Sequence, residues 1–163
     1  MAEKTLNDLF HNTLKDIYFA EKAILRALPK LAKGAESAQL KEAFQKHREE
    51  TEEHVERLEQ VFEIIGKPAR GKTCEAIKGL VEEGNEIMED FEETSALDAG
   101  LIASAQAVEH YEIARYGTLI TWANQLGLKD AAKLLDQTLQ EEKKTDALLT
   151  KLATAQANQK AAA

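Results

Sequence analysis

Two histidines and four glutamates crowd one short stretch of this chain, His47-Arg-Glu-Glu-Thr-Glu-Glu-His54. Imidazoles and carboxylates exchange protons, and together they ligate iron or manganese. Direction separates such chemistry from an ordinary solvated helix face. On a helical wheel with His47 at zero, Leu40, Phe44, Leu58, Val61, Phe62 and Ile65 fall within about 60°. Glu50, Thr51 and His54 fall in the same sector. The stripe that should face the core is apolar at both ends and carries two imidazoles and a carboxylate in its middle.

Three other segments repeat the anomaly. Glu21 is centred on a stripe of Phe10, Leu14, Ile17, Ile24, Leu25 and Leu28. Glu109 and Glu112 lie among Ile102, Ala105, Ile113, Tyr116, Leu119 and Ile120, and Glu142 and Asp146 lie among Leu135, Leu139, Leu149 and Ala153. No Lys or Arg comes within about 60° of the centre of any of the four stripes. A buried, unpaired carboxylate costs several kcal/mol even after relaxation, so six of them need a shared cation. Carboxylates with one or two imidazoles suit iron, with manganese as the alternative, and two ions are expected for this many ligands. The candidate ligands are Glu21, Glu50, His54, Glu109, Glu112, Glu142, Asp146 and His47. Glu112 matches the height of Glu142 about Gly127 better than Glu109, which is one turn away, so both stay open. His47 is either a ligand or the partner of a ligating carboxylate.

The elements that must position these groups are helices. Ala, Leu, Glu and Lys dominate a chain of 163 residues that has two prolines and eight glycines, a composition that favours helix throughout one domain, 1–163. Helices are expected over about 5–33, 37–65, 74–92, 95–126 and 129–155, from caps, glycine stops and apolar period. Gly34 and Gly127 close two hairpins of long helices, and the shorter helix lies in a link long enough to cross between them. The fold class is all-α: a ferritin-like antiparallel four-helix bundle with a long helical crossover between its second and third helices. Pro29 should kink or loosen the first helix. Gly84, on the apolar face of the crossover helix, suggests close approach to a neighbour, and the tail from Asn158 should fray. A second stripe, Val108, Tyr111, Trp122 and Leu126, predicts cover in part from the crossover helix and for the rest from a second subunit, a homodimer.

Charge and composition exclude several classes. A net charge of −8 opposes nucleic-acid binding. No apolar run approaches the roughly 20 residues of a membrane span, and no secretory signal is visible. The single cysteine, Cys74, rules out an internal disulfide and fits a reducing compartment, so a cytoplasmic location is expected.

The segments Asp16-Ile-Tyr-Phe-Ala-Glu21-Lys, Glu49-Glu-Thr51, Val108-Glu-His-Tyr-Glu-Ile113, Tyr116-Gly-Thr118, Glu141-Glu-Lys143 and Thr145-Asp146 resemble the YciE/YciF-like stress proteins, a branch of the ferritin-like superfamily, over nearly the whole chain. The resemblance implies a cytoplasmic stress-response protein and a homodimer. It also implies a dinuclear iron centre of the kind ferritin-like relatives use with oxygen or peroxide. The chain departs from their Glu-x-x-His pattern: the imidazole comes at Glu50-x-x-x-His54, and Asp146 stands where a second histidine would. Two functions follow as alternatives, oxidation of Fe(II) or reduction of peroxide or oxygen at the centre, and a non-catalytic structural or binding role with a vestigial or purely structural site.

Overall fold

The computed structural model describes residues 2–163. It contains α1 (Leu6–Gly34), α2 (Ala38–Ile64), α3 (Glu75–Asp90), α4 (Leu97–Gln125) and α5 (Lys129–Leu152). A π-helical turn, Ala153–Ala157, then leads into α6 (Asn158–Ala162). Among the described residues no helix is long and apolar enough to cross a membrane. The tail expected to fray is helical instead, and Lys160 pairs with Glu36.

Helix ends follow local chemistry. Thr5 and Asp8 form a capping box at α1, with the Thr5 amide donating to the Asp8 carboxylate at 2.8 Å. Such a box satisfies amides that have no partner within the helix. The Ser37 hydroxyl accepts from the Leu40 amide at α2. Gly66 and Gly127 end α2 and α4 at φ 64 and 75. Beyond them Lys67 donates back to the Phe62 carbonyl and Leu128 to that of Ala123, which are Schellman closures. α1 continues through Pro29 to Gly34 without interruption, so the expected loosening does not end the helix.

α1 packs on α2, α2 on α5, α5 on α4 and α4 on α1, closing a four-helix ring, while α3 packs on α1 and α4 from outside. All four neighbouring pairs in the ring are antiparallel. α2 and α4 are therefore parallel and diagonal, and the chain must return along the bundle between them. α3 is that return. Its start lies near the middle of α1, where Lys72 donates to the Lys15 carbonyl, and Lys30 bonds Asn85 further along. Tyr111, in the second stripe of α4, donates to Asp16 at 2.6 Å and lies 3.1 Å from the Cys74 sulfur, so the crossover covers that part of the stripe.

Two buried contacts lock the crossings. Asp98 of α4 accepts from the Glu36 and Ser37 amides, both at 2.8 Å, and so pins the α1–α2 turn. Where α3 crosses α4, Gly84 approaches Ser104 as expected. A closer approach, at Gly100, leaves a Cβ there only 2.6 Å from Ile87 Cγ2.

Gly100→Ala should therefore destabilise the protein by about 1–3 kcal/mol through overpacking at a β-branched neighbour. Gly117 lies in the same helix with nothing within 4 Å of its added Cβ, so Gly117→Ala should stabilise by about 1 kcal/mol. Thermal melts of the two variants should move in opposite directions, and a shared direction would contradict the crossing geometry.

Candidate metal centre

Each bundle helix contributes at mid-length to one buried cluster: Glu21 from α1, His47 and His54 from α2, Glu109 and Glu112 from α4, and Glu142 from α5. Two overlapping sets stand out. His47, Glu109, Glu112 and Glu142 offer ligand atoms all within 4.8 Å of one another, and so do Glu21, His54 and Glu142. Glu142 belongs to both.

The hydrogen bonding is incomplete in a consistent way. Among the described residues, the buried side-chain polar atoms without a partner are Glu21 Oε2, His47 Nε2, His54 Nδ1, Glu109 Oε2 and both carboxylate oxygens of Glu112 and Glu142. All six residues line the cluster. Native proteins satisfy nearly all such atoms, so this concentration marks a place built for something else. His47 Nε2 is 3.0 Å from Glu109 and His54 Nδ1 is 2.9 Å from Glu142. These are ion-pair distances without hydrogen-bond alignment.

Behind each imidazole stands a second carboxylate. His54 Nε2 is 2.9 Å from Glu141, and Arg57 holds Glu141 with bonds of 2.6 and 3.0 Å from its two terminal nitrogens. His47 Nδ1 is 3.5 Å from Glu50 and 3.3 Å from the Thr145 hydroxyl. A proton on each rear nitrogen would leave the forward nitrogen's lone pair facing the cluster, the arrangement typical of metal-ligating histidines. Tyr116 donates to Glu21 at 2.5 Å, and Thr51 donates to the His47 carbonyl at 2.7 Å.

The electrostatics are those of crowded charge in a dry site. Burial, then the charges of Glu142, Glu21 and Glu109, raise the Glu112 carboxyl well above its ordinary range. Burial and Glu109 do the same to Glu142. Burial also pushes Glu21 up, but the nearby His54 charge and the hydrogen bond from Tyr116 prevail and hold it low. Burial opposes the charge on His54, yet Glu21 and Glu142 raise it to about 10. His47 is raised well above the usual imidazole value, with Glu109 overcoming burial. Glu50 is held low, chiefly by its bond to His47.

Two candidates lie elsewhere. Asp146 turns away from the cluster: its carboxylate accepts from Gln106 at 3.2 Å and lies 3.1 Å from His110, whose side chain is 69% exposed. Its offset from Glu142 on α5 carries it toward α4's outer side. Glu50, with its side chain 24% exposed, sits behind His47 and near Lys46, outside both overlapping sets. Both Glu109 and Glu112 face inward, so the structure does not choose between them. Sequence reasoning missed Glu141 and Arg57. Arg57 follows His54 by three residues, hence on an adjoining face, and that spacing was the available signal.

The family described as "Domain of unknown function (DUF892)" matches residues 5–162. The protein YciF of Escherichia coli K12 is 50% identical over 162 residues, covering 99% of this chain and 98% of that protein. The crystal structure of YciF, described as an E. coli stress protein, superposes with a TM-score of 0.91, covering 96% of this chain and 99% of that one. YcfI from Rhodopseudomonas palustris superposes at 0.88, with 45% identity over 90% of this chain and 94% of its own. A protein from Xanthomonas campestris pv. campestris, 21% identical with a TM-score of 0.73 over 92% of this chain and 91% of its own, shares the fold.

The metal-free cluster should make stability depend on pH. Glu112, Glu142, His47 and His54 all have native pKa values above their unfolded ones, so across those intervals the native state binds more protons and stability falls as pH rises. Glu21, Glu50 and Glu141 are lowered and work the other way, adding stability as pH rises toward their unfolded values near 4.3. The cluster's contribution to melting temperature in chelator should therefore peak at about pH 4–5, near the unfolded carboxylate values, and decline toward pH 10. A flat or rising profile between pH 7 and 9 would show that the cluster is not charged as described.

Proposed function

The chain belongs to the DUF892 family as a homologue of the YciF stress protein, and from that premise we propose that its buried cluster holds two divalent transition-metal ions, iron before manganese. The proposed ligands are Glu21, His54, His47, Glu109, Glu112 and Glu142, with Glu142 common to both positions. The observation that carries the reading is the set of buried carboxylate and imidazole atoms that have no hydrogen-bond partner. Oxygen and nitrogen donors in this ratio fit iron and manganese, and the absence of thiolate argues against softer ions. Bound iron would supply electron exchange between Fe(II) and Fe(III), with dioxygen or a peroxide as oxidant.

The protein's own groups do the rest. Four antiparallel helices fix the carboxylates, so little reorganisation is needed on binding. Glu141 and Arg57 behind His54, and Glu50 and Thr145 behind His47, hold each ring with a nitrogen turned inward. Tyr116 holds Glu21 by a hydrogen bond. One further observation favours the non-catalytic alternative. Protons on the two histidines, Glu112 and Glu142 bring the cluster close to neutrality without metal, which would suit a structural protein with a vestigial site.

Metal analysis separates the two. Protein made in iron-supplemented medium, or loaded anaerobically with Fe(II), should carry up to two ions per chain and oxidise Fe(II) faster than buffer. Failure to retain Fe(II) or Mn(II) would leave the structural reading. Glu112→Gln keeps the shape and puts a neutral amide where the metal-free protein holds a protonated carboxyl. In the metal-free protein at neutral pH it should be neutral or raise the melting temperature, whereas in the loaded protein it should weaken metal binding. An equal cost in both states would remove Glu112 from the ligand set. Loss of an outer partner is milder: Glu141→Ala should weaken metal binding by about 10–100-fold, and Glu141→Gln should recover most of it. Titration with Mn(II) measures both, and identical affinities for wild type and Glu141→Ala would free His54 from dependence on Glu141.

A further inference from the structure

A cavity of about 50 Å³ lies under the crossover helix and is separate from the carboxylate cluster except at one end. Its wall is apolar: Ile24 and Leu28 from α1, Phe44 from α2, Val81 and Met88 from α3 and Leu149 from α5. At its inner end are His47 and Glu109, both members of the cluster. The other polar side chains on the wall are Asn85, Ser104 and Thr145. Asn85 accepts from Lys30 at 2.8 Å, and the Thr145 hydroxyl is committed to His47 and Glu50.

A water molecule needs two to four polar partners, and away from the His47–Glu109 end this wall leaves little beyond the Ser104 hydroxyl for one. Close-packed interiors rarely keep voids larger than a water molecule, because a void forfeits contacts on every side. An apolar cavity of roughly 150 Å³ accepts benzene. This one is a third of that and so suits diatomic or monatomic apolar guests. The roof is loosely held: α3 buries only Ile77 and Gly84, and Leu80, Val81 and Met88 are half-buried. Met is the most adaptable of the apolar side chains.

We propose that this cavity is a dry holding site for a small, uncharged, apolar oxidant of dioxygen's size, opening onto the His47–Glu109 side of the cluster. Charged species are excluded by the apolar wall. Cations have a separate approach on the other side of His47, where Glu50 reaches solvent. Binding of the guest stands on the cavity alone, whereas its role as oxidant rests on the metal reading proposed above.

The test begins with metal-free protein, so that it cannot fail for want of metal. Crystals under xenon should show xenon between α3 and the α1–α4 seam. In methyl-labelled protein under oxygen pressure, the methyl groups of Ile24 and Leu149 should relax several-fold faster than those of Leu14, Leu119 and Leu135, which are buried to a similar degree but lie off the cavity. Benzene should leave them unmoved. A cavity filled with ordered water, no xenon, or paramagnetic relaxation that simply follows burial would overturn the proposal. Ala105→Leu, which adds volume at the wall, should abolish xenon binding. If that variant does not fold, the wild-type measurements still decide the binding. In iron-loaded protein the same variant should slow loss of Fe(II) under dioxygen several-fold without changing the iron bound. An unchanged rate with normal iron content overturns the role as oxidant site, and a normal xenon result with no iron bound overturns only the metal reading.

Discussion

Everything in this bundle answers to one constraint: four carboxylates with almost no solvent access share a small space with two imidazoles. Each uncompensated buried ion costs several kcal/mol, and a domain's whole stability is about 5–15 kcal/mol. The cluster cannot carry its full negative charge and remain folded by packing alone. Protons or cations must be present in proportion, and the helices must be stiff enough to keep the groups from escaping to water. The antiparallel ring meets the second need. All four helices cross the site at mid-length, where fraying is least, and the apolar layers at Phe10, Leu14, Val61 and Phe62 on one side and Leu28, Leu40 and Ile102 on the other are fully or nearly fully buried.

The two histidines impose order on that charge through a repeated local design. Each ring has a cluster carboxylate in front and a more exposed carboxylate behind: Glu142 and Glu141 about His54, Glu109 and Glu50 about His47. An imidazole between two acceptors keeps a proton strongly, which is why both rings stay cationic in the absence of another cation. It also sets which nitrogen would give up its proton to an entering cation. Arg57 makes the two rings unequal. Its guanidinium spans Glu141, Glu53 and Thr138, so the carboxylate behind His54 is fixed, whereas the one behind His47 is met by the more exposed Lys46 and by Thr145. The His54 side is the more rigid half of the site.

Much of this was legible in the sequence, because periodicity reports the direction of the Cα–Cβ bond. Glu21, His47, His54, Glu109, Glu112 and Glu142 are inward on the wheel and inward in the bundle. The failures share a cause: the wheel locates where a side chain starts, and long or offset side chains end elsewhere. Arg57 starts outside the core sector and reaches back to Glu141, so a core-facing stripe without a cation becomes a site with one just behind it. Asp146 starts inside the sector, but its short carboxylate ends at Gln106 and His110. Glu50, at the sector's edge, stops behind His47. Gly100 gave no signal at all, since the crossing partner, Ile87, lies on a helix whose position no local pattern specifies.

That crossover helix does more than reconnect the chain. A loop could span the bundle, but an irregular segment over the α1–α4 seam would bring unpaired backbone polar groups, and with them water, close to Glu109. A helix satisfies its own backbone and presents a dry face. The strength of every interaction in the cluster depends on that dryness, because electrostatic effects grow as the local dielectric falls. α3 has a modest hold on the bundle, with most of its apolar side chains only half covered, and its seat depends on close approaches at Gly84 and Gly100 in place of deep burial. The same feature that keeps the cluster dry is thus the least anchored part of the ring's surroundings. Small outward movements of α3 would change the solvation of His47 and Glu109 first and that of His54, enclosed by α1, α2 and α5, last.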